Sequence, residues 1–191
     1  MMKMNINEEM RNLHQLFLLK EVDRRGLVKN RPESSAEHTW SCMILAQYFL
    51  PKVSQFLDEK KVMKMLLYHD VIEIEAGDTF VFDDNLTSEQ RKKEYSALEK
   101  MRKRIPKSLS HDFISIWKEF DENSTPEAKF CQAIDKLDPM IQSAFSKDEW
   151  KKNGITEKKL RERKQQYLEP FPEMKLFFEE LIKYAKKNRY F

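Results

Sequence analysis

Only three glycines occur in 191 residues, and that scarcity narrows the available folds more than any other feature. Strands joined by tight turns need residues that accept positive φ, and glycine is the main supplier. A strand-and-turn architecture is therefore disfavoured, and a Gly-rich phosphate loop is excluded with it. Helical signals fill the chain instead. Leu13, Leu16, Phe17 and Lys20 recur at helical spacing in a segment from about Asn7 to Glu21. Ser34 with Glu37 three residues on forms a capping box, opening a helix that carries Trp40, Ile44, Leu45 and Phe49 and stops at Pro51. A third helix is expected from about Asp58 to Glu75, with Gly77 as its C-terminal cap. Thr87 and Gln90 open a charged helix to about Arg104, and a shorter one runs from Ser110 to Phe120. Thr125-Pro126 reads as an N-cap followed by proline at the first helical position of a helix to about Phe145, with Pro139 expected to kink it. Gly154 separates it from closing helices near Thr156–Leu168 and Glu173–Asn188. The segments DRRGLVKNRP and DTFVFDDN read as loops, the second with a short extended piece at most. The expected fold is all-α, one domain over residues 1–191, with a core at about 30–145 and C-terminal helices at about 156–189.

Composition narrows the function classes. Apolar residues make up 40% and charged residues 35% of the chain, as in a helix-rich globular protein. A net charge of +3 is too small to imply a nucleic-acid partner. No apolar run reaches the ~20 residues that span a bilayer, and the N-terminus lacks a signal-peptide core. Cys42 and Cys131 sit in apolar helical contexts and read as reduced core residues, and the absence of any CxxC excludes a cysteine-type structural zinc site. The protein is expected to be cytoplasmic, with no membrane and no nucleic-acid partner.

The chemistry concentrates in a few polar residues on apolar helices. In MKMLLYHDVIEIEAGD an apolar stripe at positions 62, 65, 66 and 72 also contains His69, with Asp70 beside it. A buried ring and carboxylate need partners, which ordinary hydrogen bonds or a bound divalent cation would supply. Glu73 lies one turn beyond His69 and shares its face. His38 sits in the first turn of the helix capped by Ser34, a rigid place for a ligand. Asp135 interrupts the apolar helix CQAIDKLDPM, and Asp138 follows three residues later on nearly the same face; either fits a buried carboxylate. His111-Asp112 is a second such dipeptide, but it lacks comparable partners and reads as an exposed helix start. The basic run from Lys151 to Lys164 reads as a solvated helix face, since Glu157 and Glu162 interrupt it.

Taken in order, SAEHTW, LLYHDVIE and QAIDKLD resemble the H…HD…D signature of the HD-domain metal-dependent phosphohydrolases. The RPESSAEH approach, the HDxxExxxGD run and the AKFxxxxD run resemble more narrowly the 5′-deoxynucleotidase-like branch, across roughly residues 16–145. The resemblance implies a helical HD-domain bundle in which His38, His69, Asp70 and Asp135 ligate one divalent metal. It also implies that Glu73 and Asp78 act near the reacting phosphate and that Arg24 helps to hold it. Where that branch carries an aromatic residue after the arginine, this chain has Arg25, Gly26 and Leu27. Arg31 is a second candidate for the phosphate, because it lies closest to the start of the His38 helix, whose amides favour anions.

Two imidazoles and two carboxylates form a site of borderline hardness, open to Mn²⁺, Co²⁺, Fe²⁺, Zn²⁺ or Mg²⁺. The expected activity is a metal-dependent phosphohydrolase that removes phosphate from (deoxy)nucleoside 5′-monophosphates, acting as a homodimer. The alternatives are a phosphohydrolase for another small phosphoester or a nucleoside triphosphate, and a non-catalytic helical module that keeps the metal for stability or sensing.

Overall fold

The computed structural model describes residues 5–78, 88–145 and 149–191. Among them the chain is helical apart from one small hairpin. Helix α1 (Ile6–Phe17) runs into a 3₁₀ turn at Leu18–Glu21 and then β1 (Asp23–Val28) and β2 (Arg31–Ser34). Helices α2 (Ser35–Phe49), α3 (Glu59–Tyr68), α4 (Glu73–Ala76), α5 (Ser88–Arg104), α6 (Lys107–Glu122) and α7 (Pro126–Ala144) follow. The chain closes with α8 (Glu149–Lys152), α9 (Glu157–Leu160), a π-helical turn at Arg161–Gln165, α10 (Gln166–Leu168) and α11 (Pro172–Lys187).

The segment expected as a loop before His38 is an antiparallel hairpin, pairing Val28 with Arg31 and Asp23 with Ser34. The sequence hides it because the turn carries Lys29, not glycine, at φ 59°. The expected third helix also divides, ending at Tyr68 before a turn that leads into α4. Helix α6 starts three residues earlier than expected, after Pro106. The expected caps at Ser34 and Thr125 both form, through the amides of Glu37 and Ala128. The expected cap at Thr87 and all but the first residue of DTFVFDDN lie outside the described residues.

Helices α2, α3 and α7 pack against one another. Cys42, Ala46 and Phe49 of α2, Val62, Met65 and Leu66 of α3, and Phe130, Ile134 and Leu137 of α7 form the heart of the larger core. A second cluster joins Leu19, Tyr68, Val71 and Ile72 to Leu98, Met101, Phe113 and Trp117 of α5 and α6. The turn at 69–72 follows Met65 and Leu66 of the first cluster and supplies Val71 and Ile72 to the second. Polar residues placed there are held from both sides, which removes side-chain freedom before any ligand arrives. No helix among the described residues is long and apolar enough to cross a membrane.

Candidate metal centre and its cavity

The Ser34 capping box fixes the first turn of α2. Ser34 Oγ accepts the Glu37 amide at 3.3 Å, and Glu37 Oε2 accepts the Ser34 amide at 2.9 Å. That turn holds His38, whose side chain has no exposed surface. Its ring is gripped from both sides by α7. Asp138 Oδ2 lies 2.7 Å from Nδ1, and Asp135 Oδ1 lies 3.1 Å from Nε2. Burial alone would lower the pKa of His38; its hydrogen bonds to these carboxylates help hold it well above the ordinary range.

His69 explains why α3 stops. Its Nδ1–H donates to the Leu66 carbonyl at 2.7 Å, the acceptor that the Asp70 amide would use in a continuing α-helix. The backbone then changes to three-residue spacing, with Val71 donating to Tyr68 and Glu73 to Asp70. Because Nδ1 carries the proton, Nε2 of His69 presents a lone pair. That atom is buried and has no hydrogen-bond partner, yet Asp70 Oδ1 lies only 3.2 Å away. A buried lone pair facing a carboxylate is unfavourable unless a proton or a metal cation lies between them. Asp70 Oδ2 reaches toward His38 Nε2 at 3.8 Å. Among the described residues the donor atoms within 4.8 Å of one another group as His38, Cys42 and His69 and as Glu33, His38 and Asp138. The expected set is linked pairwise, His38 to Asp70 and Asp135 and His69 to Asp70, a donor chemistry that suits a divalent ion.

Asp135 carries a further contact, to Lys136 Nζ at 2.6 Å. Burial disfavours its charge, but Lys136 and His38 hold its pKa well below the usual carboxylate range. Cys42 also approaches His38 Nε2, at 3.5 Å, but burial pushes its pKa up to about 12, so it is a neutral thiol. Both cysteines are buried and unpaired by disulfide, as expected.

Arg24, projecting from β1, faces four carboxylates. Its guanidinium lies 3.0 Å from Asp70, 3.4 Å from Asp78, 3.7 Å from Glu33 and 3.9 Å from Glu73. Ser35 Oγ donates to Glu73 Oε2 at 2.6 Å. Burial, with Asp70 and Asp78 nearby, pushes the Glu73 pKa well above the ordinary value against the pull of Arg24. Asp78 is raised as well, chiefly by burial. Gly77 precedes it at φ 76°, a conformation that favours glycine.

A cavity of about 270 Å³ is lined by Arg24, His69, Asp70, Glu73, Asp78 and Asp135, with Lys136 and Lys164 also on its wall. This is near the lower end of small-ligand pockets, which run from roughly 300 Å³ upward. Arg31 is not brought to it. It sits exposed on β2, paired with Glu37 at 2.8 Å, because the hairpin turns its side chain to the capping glutamate of α2. His111 is also exposed, and Asp112 pairs with Lys64 on the outer surface.

Sequence reasoning missed Glu33, Ser35, Lys136 and Lys164. Lys164 comes from the π-helical turn, is 2% exposed and donates to the Lys136 carbonyl at 2.9 Å. Burial, reinforced by the charge of Lys136, pushes its pKa down to about 7. Its place in a lysine-rich run masked it, since only the tertiary fold turns it inward. Glu33 and Ser35 flank the capping serine in RPESSAEH, and that position was the available signal.

The fold and the site together define a helical protein whose cavity gathers histidine and aspartate donors beside a buried arginine. The HD domain profile matches residues 17–175, and the chain belongs to that family. It is 27% identical over 139 residues to the 5′-deoxynucleotidase HDDC2 of Bos taurus, covering 71% of this chain and 66% of the relative. The match to HDDC2 of Homo sapiens is 27% over 133 residues, covering 68% and 64%. The chain thus spans slightly less than two thirds of the length of these relatives. Among solved structures, a "predicted metal-dependent phosphohydrolase" of Magnetospirillum magnetotacticum MS-1 superposes with a TM-score of 0.86 at 24% identity, covering 97% of this chain and 94% of the other. An HD-domain phosphohydrolase of Listeria innocua gives a TM-score of 0.67 at 23% identity, covering 91% and 88%. These two likenesses are likenesses of fold.

Proposed function

We propose that the chain acts as one HD domain that hydrolyses phosphate monoesters, with (deoxy)nucleoside 5′-monophosphates as substrates. In this reading His38, His69, Asp70 and Asp135 hold one divalent metal. The observation that carries the proposal is the position of Arg24. A largely buried guanidinium lies within 4 Å of Asp70, Glu73 and Asp78, on the wall of the cavity that holds them. It suits the dianion of a phosphoester bound beside the metal. The similarity to 5′-deoxynucleotidases supports the nucleotide as substrate class.

His38, His69, Asp70 and Asp135 would hold a divalent ion, which would supply Lewis acidity toward a phosphoryl oxygen and lower the pKa of water. Glu73 takes the proton from the attacking water. Its raised pKa makes it a stronger base than an exposed glutamate. Ser35 fixes one of its oxygens at 2.6 Å, so the carboxylate is oriented before substrate arrives. Arg24 neutralises the equatorial phosphoryl oxygens, and Asp78 orients Arg24 from 3.4 Å. Water oxygen bonds to phosphorus, the ester P–O bond breaks, and the leaving oxygen takes up a proton.

A homodimer and a cytoplasmic location belong to the same reading. The apolar side chains of Ile6, Met10, Leu13 and Phe17 on α1 stand exposed and would suit a second copy. Buried, reduced thiols suit a reducing compartment.

The test is phosphate release from a panel of deoxy- and ribonucleoside 5′-monophosphates and a triphosphate, after stripping metal and restoring Mn²⁺, Co²⁺, Fe²⁺, Zn²⁺ or Mg²⁺ singly. Release from the deoxynucleoside monophosphates, abolished by chelation, is expected. Tight metal binding with no release from any substrate would favour the non-catalytic module instead.

A further inference from the structure

We infer that Asp138 is the positioning residue of the metal centre: it holds His38 with the proton on Nδ1 and the Nε2 lone pair aimed at the ion. The inference rests on the metal reading above and adds a residue to it. Asp135 and Asp138 are three residues apart on α7 and both touch the His38 ring, from opposite sides. Asp138 Oδ2 is 2.7 Å from Nδ1, while Asp135 Oδ1 is 3.1 Å from Nε2. Without an ion both His38 nitrogens face a carboxylate and the ring is held protonated; a metal-bound imidazole is neutral, with one donor nitrogen and one acceptor nitrogen. The nitrogen that meets the metal must be the acceptor, so the other must donate, and Asp138 is the acceptor it meets.

The division of labour between the two aspartates follows from where each lies. Asp135 lines the cavity with His69 and Asp70, whereas His38 and Asp138 do not. Asp138 is 5% exposed, and its carboxylate, Glu33 and one ring nitrogen of His38 lie within 4.8 Å of one another. The shorter contact is made to Nδ1, and Nε2 faces Asp70 and Asp135. His69 shows the same device with a different acceptor, its Nδ1–H held by the Leu66 carbonyl. Both histidines are thereby set to present Nε2. One is set by the backbone at the end of α3 and one by a carboxylate from α7. A carboxylate also raises the basicity of the ring it holds, which a carbonyl does less strongly.

The test compares Asp138→Asn and Asp138→Leu with the wild-type chain, using Co²⁺ alone as the probe. Asn keeps an oxygen that accepts from Nδ1–H but loses the charge; Leu keeps the approximate volume and removes the acceptor. Calorimetric titration of metal-stripped protein should show Asp138→Leu binding Co²⁺ about 10–100-fold more weakly, with Asp138→Asn between it and the wild type. Proton–nitrogen correlation spectra of the Zn²⁺-loaded wild-type protein should show the His38 proton on Nδ1. This second measurement needs no variant and stands if Asp138→Leu fails to fold. A wild-type chain that binds Co²⁺, with Asp138→Leu within twofold of it, overturns the role of Asp138 alone. So does a His38 proton found on Nε2. A wild-type chain that binds no Co²⁺ overturns the metal reading itself, and this inference with it.

Discussion

Replacing Lys164 by methionine should stabilise the protein at neutral pH and cease to do so in alkali. The lysine amine is buried in the cavity wall, and its pKa falls from 10.5 to about 7, first through burial and then through repulsion by Lys136. Above pH 10.5 the amine is neutral in both the folded and the unfolded chain, so its ionisation costs nothing. As pH falls from 10.5 toward 7, only the unfolded chain takes the proton, and stability drops by about 1.4 kcal/mol per pH unit. Below pH 7 both forms are protonated, and the cost stays at its full value of roughly 5 kcal/mol, an upper limit. Methionine removes this cost but leaves the Lys136 carbonyl without the 2.9 Å donor. That carbonyl lies inside α7 and keeps its helical partner four residues on, so the loss is one hydrogen bond, about 0.5–1.5 kcal/mol. The net gain should therefore be about 3–4 kcal/mol at about pH 6, falling to within about 1 kcal/mol of zero at about pH 9.5. Urea unfolding of wild-type and Lys164→Met protein, both in chelator, measures the difference at each pH. A methionine variant equally destabilised at both pH values would refute the reasoning, because the amine would then carry no buried-charge cost.

Glu73→Gln keeps an acceptor for Ser35 but cannot accept a proton; turnover should fall about 10²–10⁴-fold while metal content by elemental analysis stays at the wild-type level. Arg24→Lys should lower kcat/KM about 10–100-fold, as expected for losing charge-assisted hydrogen bonds worth about 1.5–3 kcal/mol, again with metal retained. Arg31→Ala, at an exposed pair, should leave kcat/KM at the wild-type value; a large loss in steady-state assays would return this residue to the phosphate. Metal at about 100 times its Kd should stabilise the fold by ~2.7 kcal/mol over the chelated protein, read as a higher unfolding midpoint; no shift with any of the five ions would argue against the centre.

The sequence by itself determined the elements that rest on local physics. The caps at Ser34 and Thr125 form as their spacing required, because each is a bond between residues three apart. Scarce glycine and helical apolar spacing were enough for the helical class. His38, His69, Asp70 and the pair Asp135 and Asp138 stood out as polar residues in apolar helical patterns, which need partners wherever they pack; the choice of Asp135 came from the resemblance to the HD-domain phosphohydrolases. Tertiary structure alone decided the rest. The hairpin at 23–34 depends on non-local pairing and on Lys29 taking a left-handed turn, which no local signal announces. Asp135 and Asp138 could not be told apart as residues three apart on one helix face. In the fold each meets a different nitrogen of His38, a hundred residues away. Arg24 and Arg31 were alike as basic residues of one segment; the hairpin turns one into a cluster of carboxylates and the other out to Glu37. Lys164 belongs to a run of charges that reads as solvated, and it is buried because the π-helical turn rotates it onto α7. Charge and spacing are properties of the chain, whereas the partner that a charge meets is a property of packing.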